Sequence, residues 1–189
     1  MKHSMKVVFV VALLLAATQS VNAQSSSSRV PSRFHFGIKG GATANIYMGD
    51  NDNTDAFFFP TGGLAMDFQV AKIPLFIGIG ANYANFGLKD RKTFDAHSIQ
   101  VPVTTSYHIG VAPNFFINPF LGGFAAYNFN DDFNKQFNAG VRAGCGFNYG
   151  RLTWEVGYDQ GLLNLGTKNN DVISGTLFVT VGFNFAGSR

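Results

Sequence analysis

The sequence predicts an all-β chain that folds as an eight-stranded antiparallel up-and-down transmembrane β-barrel. Three observations lead to this prediction. Apolar residues alternate with small or polar residues along most of the chain, which is the period-two pattern of β-strands. Only 13% of the residues are charged, about half the usual share of a soluble domain. Long, charged connections alternate with short ones, as expected for a barrel whose long loops all lie at one end.

The amino terminus has the three parts of a secretory signal peptide. Lys2 and Lys6 form a positive start, residues 7–17 are apolar, and Val21-Asn22-Ala23 places small or apolar residues where a signal peptidase cleaves. The apolar run is shorter than the about 20 residues that a membrane helix needs. We therefore expect three regions: a signal peptide (1–23), a flexible Ser-rich lead-in (24–33) and an outer-membrane β-barrel domain (34–189).

Eight segments after the lead-in carry the alternating pattern. They are expected to be strands, in the order 34–46, 62–70, 75–88, 99–109, 115–129, 137–149, 152–165 and 175–185. The phase of the fifth is open because Pro119 and Gly122-Gly123 interrupt it. The connections after the first, third, fifth and seventh strands are longer and more charged than the other three. Neighbouring strands are therefore expected to be antiparallel.

Periodicity alone does not say which face is inside, because a soluble ligand-binding barrel alternates as well. The strands are long enough for a tilted membrane span of about 9–11 residues. Their few charges lie on the polar face, where the exterior of a soluble barrel would need many more. Aromatic residues lie at strand ends, as in the girdle of a membrane barrel: Phe34, Phe147, Tyr149, Trp154, Phe183 and Phe185. We therefore expect the apolar face to contact lipid and the polar face to line the interior.

The hairpin across Gly150-Arg151 predicts a register. A two-residue turn there places Tyr149 opposite Leu152 and Arg142 opposite Asp159. It also places Gly144 opposite Gly157, which leaves room for bulk from across the barrel. An eight-stranded barrel is only wide enough for its own side chains, so we expect a plugged or very narrow interior. The polar cluster expected inside it consists of Lys39, Asp67, Arg142, Glu155 and Asp159.

No pattern in the sequence predicts catalysis, a cofactor or a metal. The histidines lack metal-ligand spacing, and Cys145 lies on an apolar face. Residues 50–55 resemble the start of a calcium loop, but Asp55 stands at its glycine position and Thr61 at its glutamate position. Weak cation binding stays open there. Without Lys2 and Lys6, twelve Lys and Arg oppose eleven Asp and Glu, so charge does not support a nucleic-acid partner. We expect no enzyme activity and no cofactor.

Three segments resemble one family of the porin type. They are Ser98–Val103 (SIQVPV), Asn118–Gly123 (NPFLGG) and Glu155–Leu162 (EVGYDQGL), which look like parts of the PorT-type outer-membrane β-barrel domain. The resemblance implies a small barrel in the outer membrane of a diderm bacterium and no active site. It also implies that an accessory role in protein secretion is open, since some relatives have one.

The first functional hypothesis is therefore a non-enzymatic integral barrel with a structural role or a binding role exercised by its loops. Its expected partners are outer-membrane lipid and an extracellular or periplasmic protein. The alternatives are a narrow porin-like transporter or secretion-accessory barrel and, less favoured, a soluble periplasmic lipid-binding barrel.

Overall fold

The computed structural model describes residues 33–48, 58–70, 72–85, 88–90, 92–94, 97–129, 136–163 and 173–186. The predicted signal peptide and all of the lead-in before Arg33 lie outside these residues. Among the residues described, no helix has the length and apolar character needed to cross a membrane.

Long β-strands account for most of the described chain. In chain order the strands are β1 (Phe34–Met48), β2 (Phe58–Gln69), β3 (Leu75–Asn85), β4 (Leu88–Asp90), β5 (Lys92–Phe94), β6 (His97–Tyr107), β7 (Ile109–Ala112), β8 (Phe115–Asn128), β9 (Phe137–Tyr149), β10 (Leu152–Gly161) and β11 (Ile173–Ala186).

The long strands form one closed antiparallel sheet. The order of hydrogen-bonded neighbours is β6-β3-β2-β1-β11-β10-β9-β8-β7, and pairing of β6 with β8 closes it. Strand β7 continues β6 beyond a break at His108. If β6 and β7 are counted as one strand, the barrel wall has eight strands. The first and last of them, β1 and β11, pair from Phe36 opposite Ala186 to Met48 opposite Ile173. The predicted fold, an eight-stranded antiparallel barrel, is confirmed.

Most strand boundaries differ by a few residues from the predicted ones, and the following differences are the most informative. Strand β2 begins at Phe58 rather than Gly62, because Phe58 and Phe59 pair with Ala44 and Thr43 of β1. Strand β11 begins at Ile173, where the sequence predicts loop. The charged stretch 89–97 was also expected to be loop, yet β4 and β5 form a small hairpin within it, with Lys89 opposite Thr93. These segments lack the apolar–polar alternation of the other strands, so the sequence gives no signal of their pairing.

Two tight turns connect neighbouring strands, β7 to β8 and β9 to β10, at the end of the barrel opposite the long loops. Gly150 has a φ of 59° and Asn114 a φ of 64°, the left-handed region that glycine and asparagine tolerate best. The Gly150-Arg151 turn has two residues. Tyr149 therefore lies opposite Leu152, and Arg142 lies opposite Asp159, as the turn length predicts.

The two faces of the wall have opposite chemistry. On β11, Val179 is 52% exposed whereas its neighbour Thr180 is 5% exposed. Most apolar residues of the long strands face outward, apart from a few inward phenylalanines such as Phe76 and Phe178, and most buried polar residues face the interior. Five of the six aromatic residues predicted to form a girdle are exposed on the outer surface near the short turns: Phe34, Tyr149, Trp154, Phe183 and Phe185. This is the arrangement of a membrane barrel, in which closure satisfies the backbone and lipid covers the apolar face.

Candidate functional site

The barrel interior is the candidate site, because the charged residues of the strands converge there. Lys39 projects from β1, Asp67 from β2, Arg142 from β9, and Glu155 and Asp159 from β10. The structure places all five on the inward face. They converge because alternate residues of a strand point to the same face, and each of the five lies on the face of its strand that carries small or polar residues.

Arg142 and Asp159 form a buried ion pair across the β9–β10 ladder. Arg142 Nε lies 3.3 Å from Asp159 Oδ1, and the two side chains are only 5% and 3% exposed. Gln100 on β6, a strand separated from β9 only by β8, joins them. Its Nε2 donates to Asp159 Oδ2 at 2.9 Å, and its Oε1 accepts from Arg142 Nη1 at 3.4 Å. A buried pair needs such further hydrogen bonds to offset its desolvation.

Lys39 and Glu155 form a second ion pair nearer the short turns. Lys39 Nζ lies 3.1 Å from Glu155 Oε2. Thr180 Oγ1 donates to the same carboxylate oxygen at 3.4 Å. Glu155 on β10 thus contacts Lys39 on β1 and Thr180 on β11. These contacts hold three neighbouring strands together from inside the barrel.

Asp67 is the third carboxylate of the interior. Among the described residues it forms no ion pair within 4.0 Å, the limit that the other two pairs satisfy. It borders a cavity of about 50 Å³ that Lys39 and Glu155 also line. The five charged residues therefore comprise two pairs and one carboxylate beside a small polar space.

Phenylalanine rings fill the middle of the interior. Phe120 lies opposite Gly144, Gly144 opposite Gly157, and Gly157 opposite Phe178. The two rings are stacked with centroids 6.3 Å apart, above a glycine pair that has no side chains to exclude them. The sequence predicts large side chains from across the barrel over these glycines. They come instead from the adjacent strands β8 and β11. Arg142 Cζ lies 4.0 Å from the Phe178 ring centroid, within range of a cation–π interaction.

An aromatic stack closes the interior near the short turns. Phe76 is fully buried, and its ring stacks on His108 with centroids 4.0 Å apart. His35 lies 5.4 Å from Phe76 and 5.8 Å from His108. Two of the three histidines in the described residues are therefore packed core residues. The third, His97, lies on the outer surface and hydrogen-bonds the Tyr83 hydroxyl through Nδ1.

Amide and hydroxyl side chains occupy the interior nearer the long loops. Asn138 Nδ2 donates to Ser174 Oγ at 3.0 Å, and Thr176 Oγ1 donates to Asn45 Oδ1 at 3.0 Å. All four residues are buried. These bonds tie β9 and β1 to β11 from inside the barrel.

The sequence reasoning missed Gln100, Phe178 and the stack on Phe76. A signal for Phe178 was present, because even-numbered residues of β11 point inward. For Gln100 no local signal exists, since its partners come from β9 and β10. Cys145 faces outward between Pro119 and Val156, away from the charged cluster. Within the described ranges, no group of three or more His, Cys, Asp and Glu residues is placed to hold a metal ion.

Several solved outer-membrane barrels are similar to this chain. Neisserial surface protein A is 12% identical, with 83% of this chain and 100% of that chain covered and a TM-score of 0.48. The attachment invasion locus protein Ail of Yersinia pestis is 15% identical, with coverage of 80% and 98% and a TM-score of 0.47. The N-terminal β-barrel domain of Pseudomonas aeruginosa OprF is 13% identical, with coverage of 82% and 99% and a TM-score of 0.45. No curated protein matches the chain.

A family model covers most of the sequence. The model of the outer membrane protein beta-barrel domain matches residues 22–166 of the 189 residues. This match agrees with the closed antiparallel wall, the apolar outer surface and the polar interior. The chain belongs to the outer membrane protein beta-barrel domain family and is an outer-membrane protein.

Proposed function

We propose that this protein is a closed-lumen barrel without enzyme activity, which acts through its wall and its loops rather than by passing solutes. The observation that carries the proposal is the filled interior. Among the described residues, three cavities between the inward side chains measure about 50 Å³, 20 Å³ and 10 Å³. Since a cavity needs about 10–15 Å³ to hold one water molecule, they suit water and not a larger solute.

Three successive layers support the proposal of a closed lumen. The stack on Phe76 blocks the end near the short turns. The Phe120 and Phe178 rings, with Arg142 against one of them, block the middle. The Asn138–Ser174 and Asn45–Thr176 hydrogen bonds narrow the end near the loops. A solute would have to break the part-buried Lys39–Glu155 pair and the buried Arg142–Asp159 pair to pass, and the buried pair is costly to leave unpaired.

Wild-type protein reconstituted in planar bilayers is expected to show no steady open channels. The reason is that no layer can open without displacing packed rings or paired charges. The positive control is the combined variant Phe76→Ala, Phe120→Ala, Phe178→Ala, which removes the rings from two layers and is expected to raise the conductance. Steady wild-type channels would contradict the proposal and favour the narrow porin-like transporter.

The proposed absence of enzyme activity has support in the interior chemistry. Glu155 is engaged by Lys39 and Thr180, and Asp159 by Arg142 and Gln100. A carboxylate held by a cation and a hydrogen-bond donor is a weak base. We propose that Lys39, Asp67, Arg142, Glu155 and Asp159 have a structural role as an internal brace. We likewise propose that residues 1–23 are a cleaved signal peptide and that 24–33 lead into the barrel.

The long loops are the proposed place of any protein binding. Segments 49–57, 86–96, 130–135 and 164–172 contain eight of the eleven Asp and Glu residues, against five Lys and Arg. The opposite end carries Arg33, Lys72 and Arg151. Loops set on a rigid scaffold are where binding residues concentrate, and an acidic surface favours a partner with a basic face. The PorT-type resemblance adds a secretion-accessory role as a narrower form of this proposal.

Replacing residues 49–57 by a short Asn-Gly turn is expected to leave the barrel folded and inserted. The β1–β2 ladder runs without interruption from Phe34 opposite Phe68 to Ala44 opposite Phe58, so the loop is not needed to align these strands. The measurement is the mobility difference between boiled and unboiled samples of the isolated outer membrane. Loss of that difference would make the loop part of the fold and remove it as a dispensable binding segment.

A further inference from the structure

The ladder between β3 and β6 is interrupted in the middle of the wall. Pairing runs from Leu75 opposite Tyr107 to Ile79 opposite Val103, and it resumes with Asn82 opposite Gln100. Gly80 and Ala81, with Pro102 and Val101 across from them, are skipped. By contrast, the β10–β11 ladder is continuous from Leu152 opposite Phe183 to Gln160 opposite Gly175.

Pro102 is the chemical cause of this gap. Residues that face each other in an antiparallel ladder exchange two hydrogen bonds at alternate positions, and Gly80 faces Pro102 in this register. Proline has no N–H, so Pro102 cannot donate to Gly80. Gly80 also leaves space for the proline ring, since a Cβ on Gly80 would lie 3.3 Å from Pro102 Cγ.

The other edge of β6 is interrupted as well. Its pairing with β8 ends at Ser106 opposite Phe120, and it resumes beyond the break with Ile109 opposite Ile117. Between these points the His108 N–H donates to the Pro74 carbonyl at 2.8 Å, which continues the register of β6 against β3. The breaks are therefore short: the pairing skips Val101 and Pro102 on the β3 side and Tyr107 and His108 on the β8 side.

The cavity of about 50 Å³ lies directly behind this part of the wall. Residues of the interrupted segments line it, among them Gly78, Gly80, Pro102, Thr104, Ser106 and His108. An unpaired backbone group in a membrane wall costs several kcal/mol unless it finds a partner. The cavity is polar and large enough for more than one water molecule, and water there can reach the backbone groups that the ladder leaves unpaired.

We propose that the β3–β6 seam at Gly80 and Pro102 is a hydrated joint in the barrel wall. Water in the cavity completes the hydrogen bond that the Gly80 carbonyl misses, and the seam around Gly80 and Pro102 is the first part of the wall to open. The wall is thin at this point, because Gly78 and Gly80 place no side chain inside and Ala81 places only a methyl group outside. This inference concerns the wall and is independent of the proposed loop function.

Amide hydrogen exchange of the full chain in detergent micelles or lipid bilayers tests the joint. The amide of Gly80, which points to β6 in this register, is expected to exchange about ten-fold or more faster than the amides of residues 155–157 in the continuous ladder, since local opening sets the exchange rate. Pro102→Val, which restores an N–H, is expected to slow exchange at Gly80 by about ten-fold. Pro60→Val is the matched control, because Pro60 already pairs with Ala42 of β1, away from the seam.

Two results would overturn the proposal. One is wild-type exchange at the Gly80 amide as slow as at residues 155–157. The other is a folded Pro102→Val variant whose exchange at Gly80 equals that of the wild type. If the variant does not fold, the wild-type comparison between the two ladders decides the question alone.

Discussion

Arg142→Leu is expected to lower the free energy of unfolding by about 3–5 kcal/mol, the usual cost of removing one partner of a buried ion pair. Asp159 would remain 3% exposed with only the Gln100 amide to stabilise its charge. The Phe178 ring would also lose the guanidinium that lies 4.0 Å from its centroid. Urea unfolding in detergent micelles, followed by the mobility difference between boiled and unboiled samples, measures the effect.

The matched control is Arg151→Leu in the turn of the same hairpin. It is the same chemical change at an exposed position, and it is expected to change the unfolding free energy by no more than about 0.5 kcal/mol. Both variants are expected to stay in the outer membrane, since neither alters the lipid-facing surface. Equal stability of the two variants would show that the ion pair does not brace the barrel.

The double variant Arg142→Leu, Asp159→Leu distinguishes two contributions to stability. One is the ion pair itself, and the other is the cost of leaving the Asp159 carboxylate buried without Arg142. Replacing both partners of a buried pair by apolar residues is often neutral or stabilising. We therefore expect the double variant to regain a large part of the stability that Arg142→Leu loses. A double variant less stable than Arg142→Leu would instead point to the pair itself as a net source of stability.

The strands of the barrel wall could be predicted because the pattern that defines them is local in the sequence. Side chains alternate between lipid and interior, and one two-residue turn at Gly150-Arg151 sets the register of a whole hairpin. The membrane location was predictable for a related reason, since a scarcity of charge is visible in composition. Strand ends in polar segments were less predictable: Phe58 and Ile173 begin strands within stretches that read as loop.

The filling of the interior was harder to predict because it depends on contacts between distant parts of the chain. Parity places Arg142 and Asp159 inside, but it does not say that Gln100 from β6 bonds to both. Likewise, the Gly144–Gly157 pair indicates a space without indicating its occupant. Closure of the sheet decides that Phe120 and Phe178 flank the pair and fill it.

Gly157→Val is expected to destabilise the barrel by about 1–3 kcal/mol or more, as overpacking of a well-filled core does. A Cβ on Gly157 would lie 2.4 Å from Phe178 Cζ and 2.8 Å from the Ala143 carbonyl oxygen. The ring can move only by leaving Phe120 and Arg142, and the backbone oxygen can move only with strand β9. Urea unfolding in micelles measures the loss.

Gly40→Val is the control for this substitution, because a Cβ on Gly40 would meet only the Thr61 carbonyl oxygen at 3.7 Å, an ordinary contact. It is expected to change stability by about 0.5 kcal/mol or less. The combined variant Gly157→Val, Phe178→Ala removes the ring that the valine meets, so its loss is expected to be smaller than the sum of the two single losses. If the losses of stability of Gly157→Val and Phe178→Ala simply add, glycine at position 157 is not required to make room for the phenylalanine rings. In that case the clash with the strand backbone, not the ring packing, would be the reason for glycine at position 157.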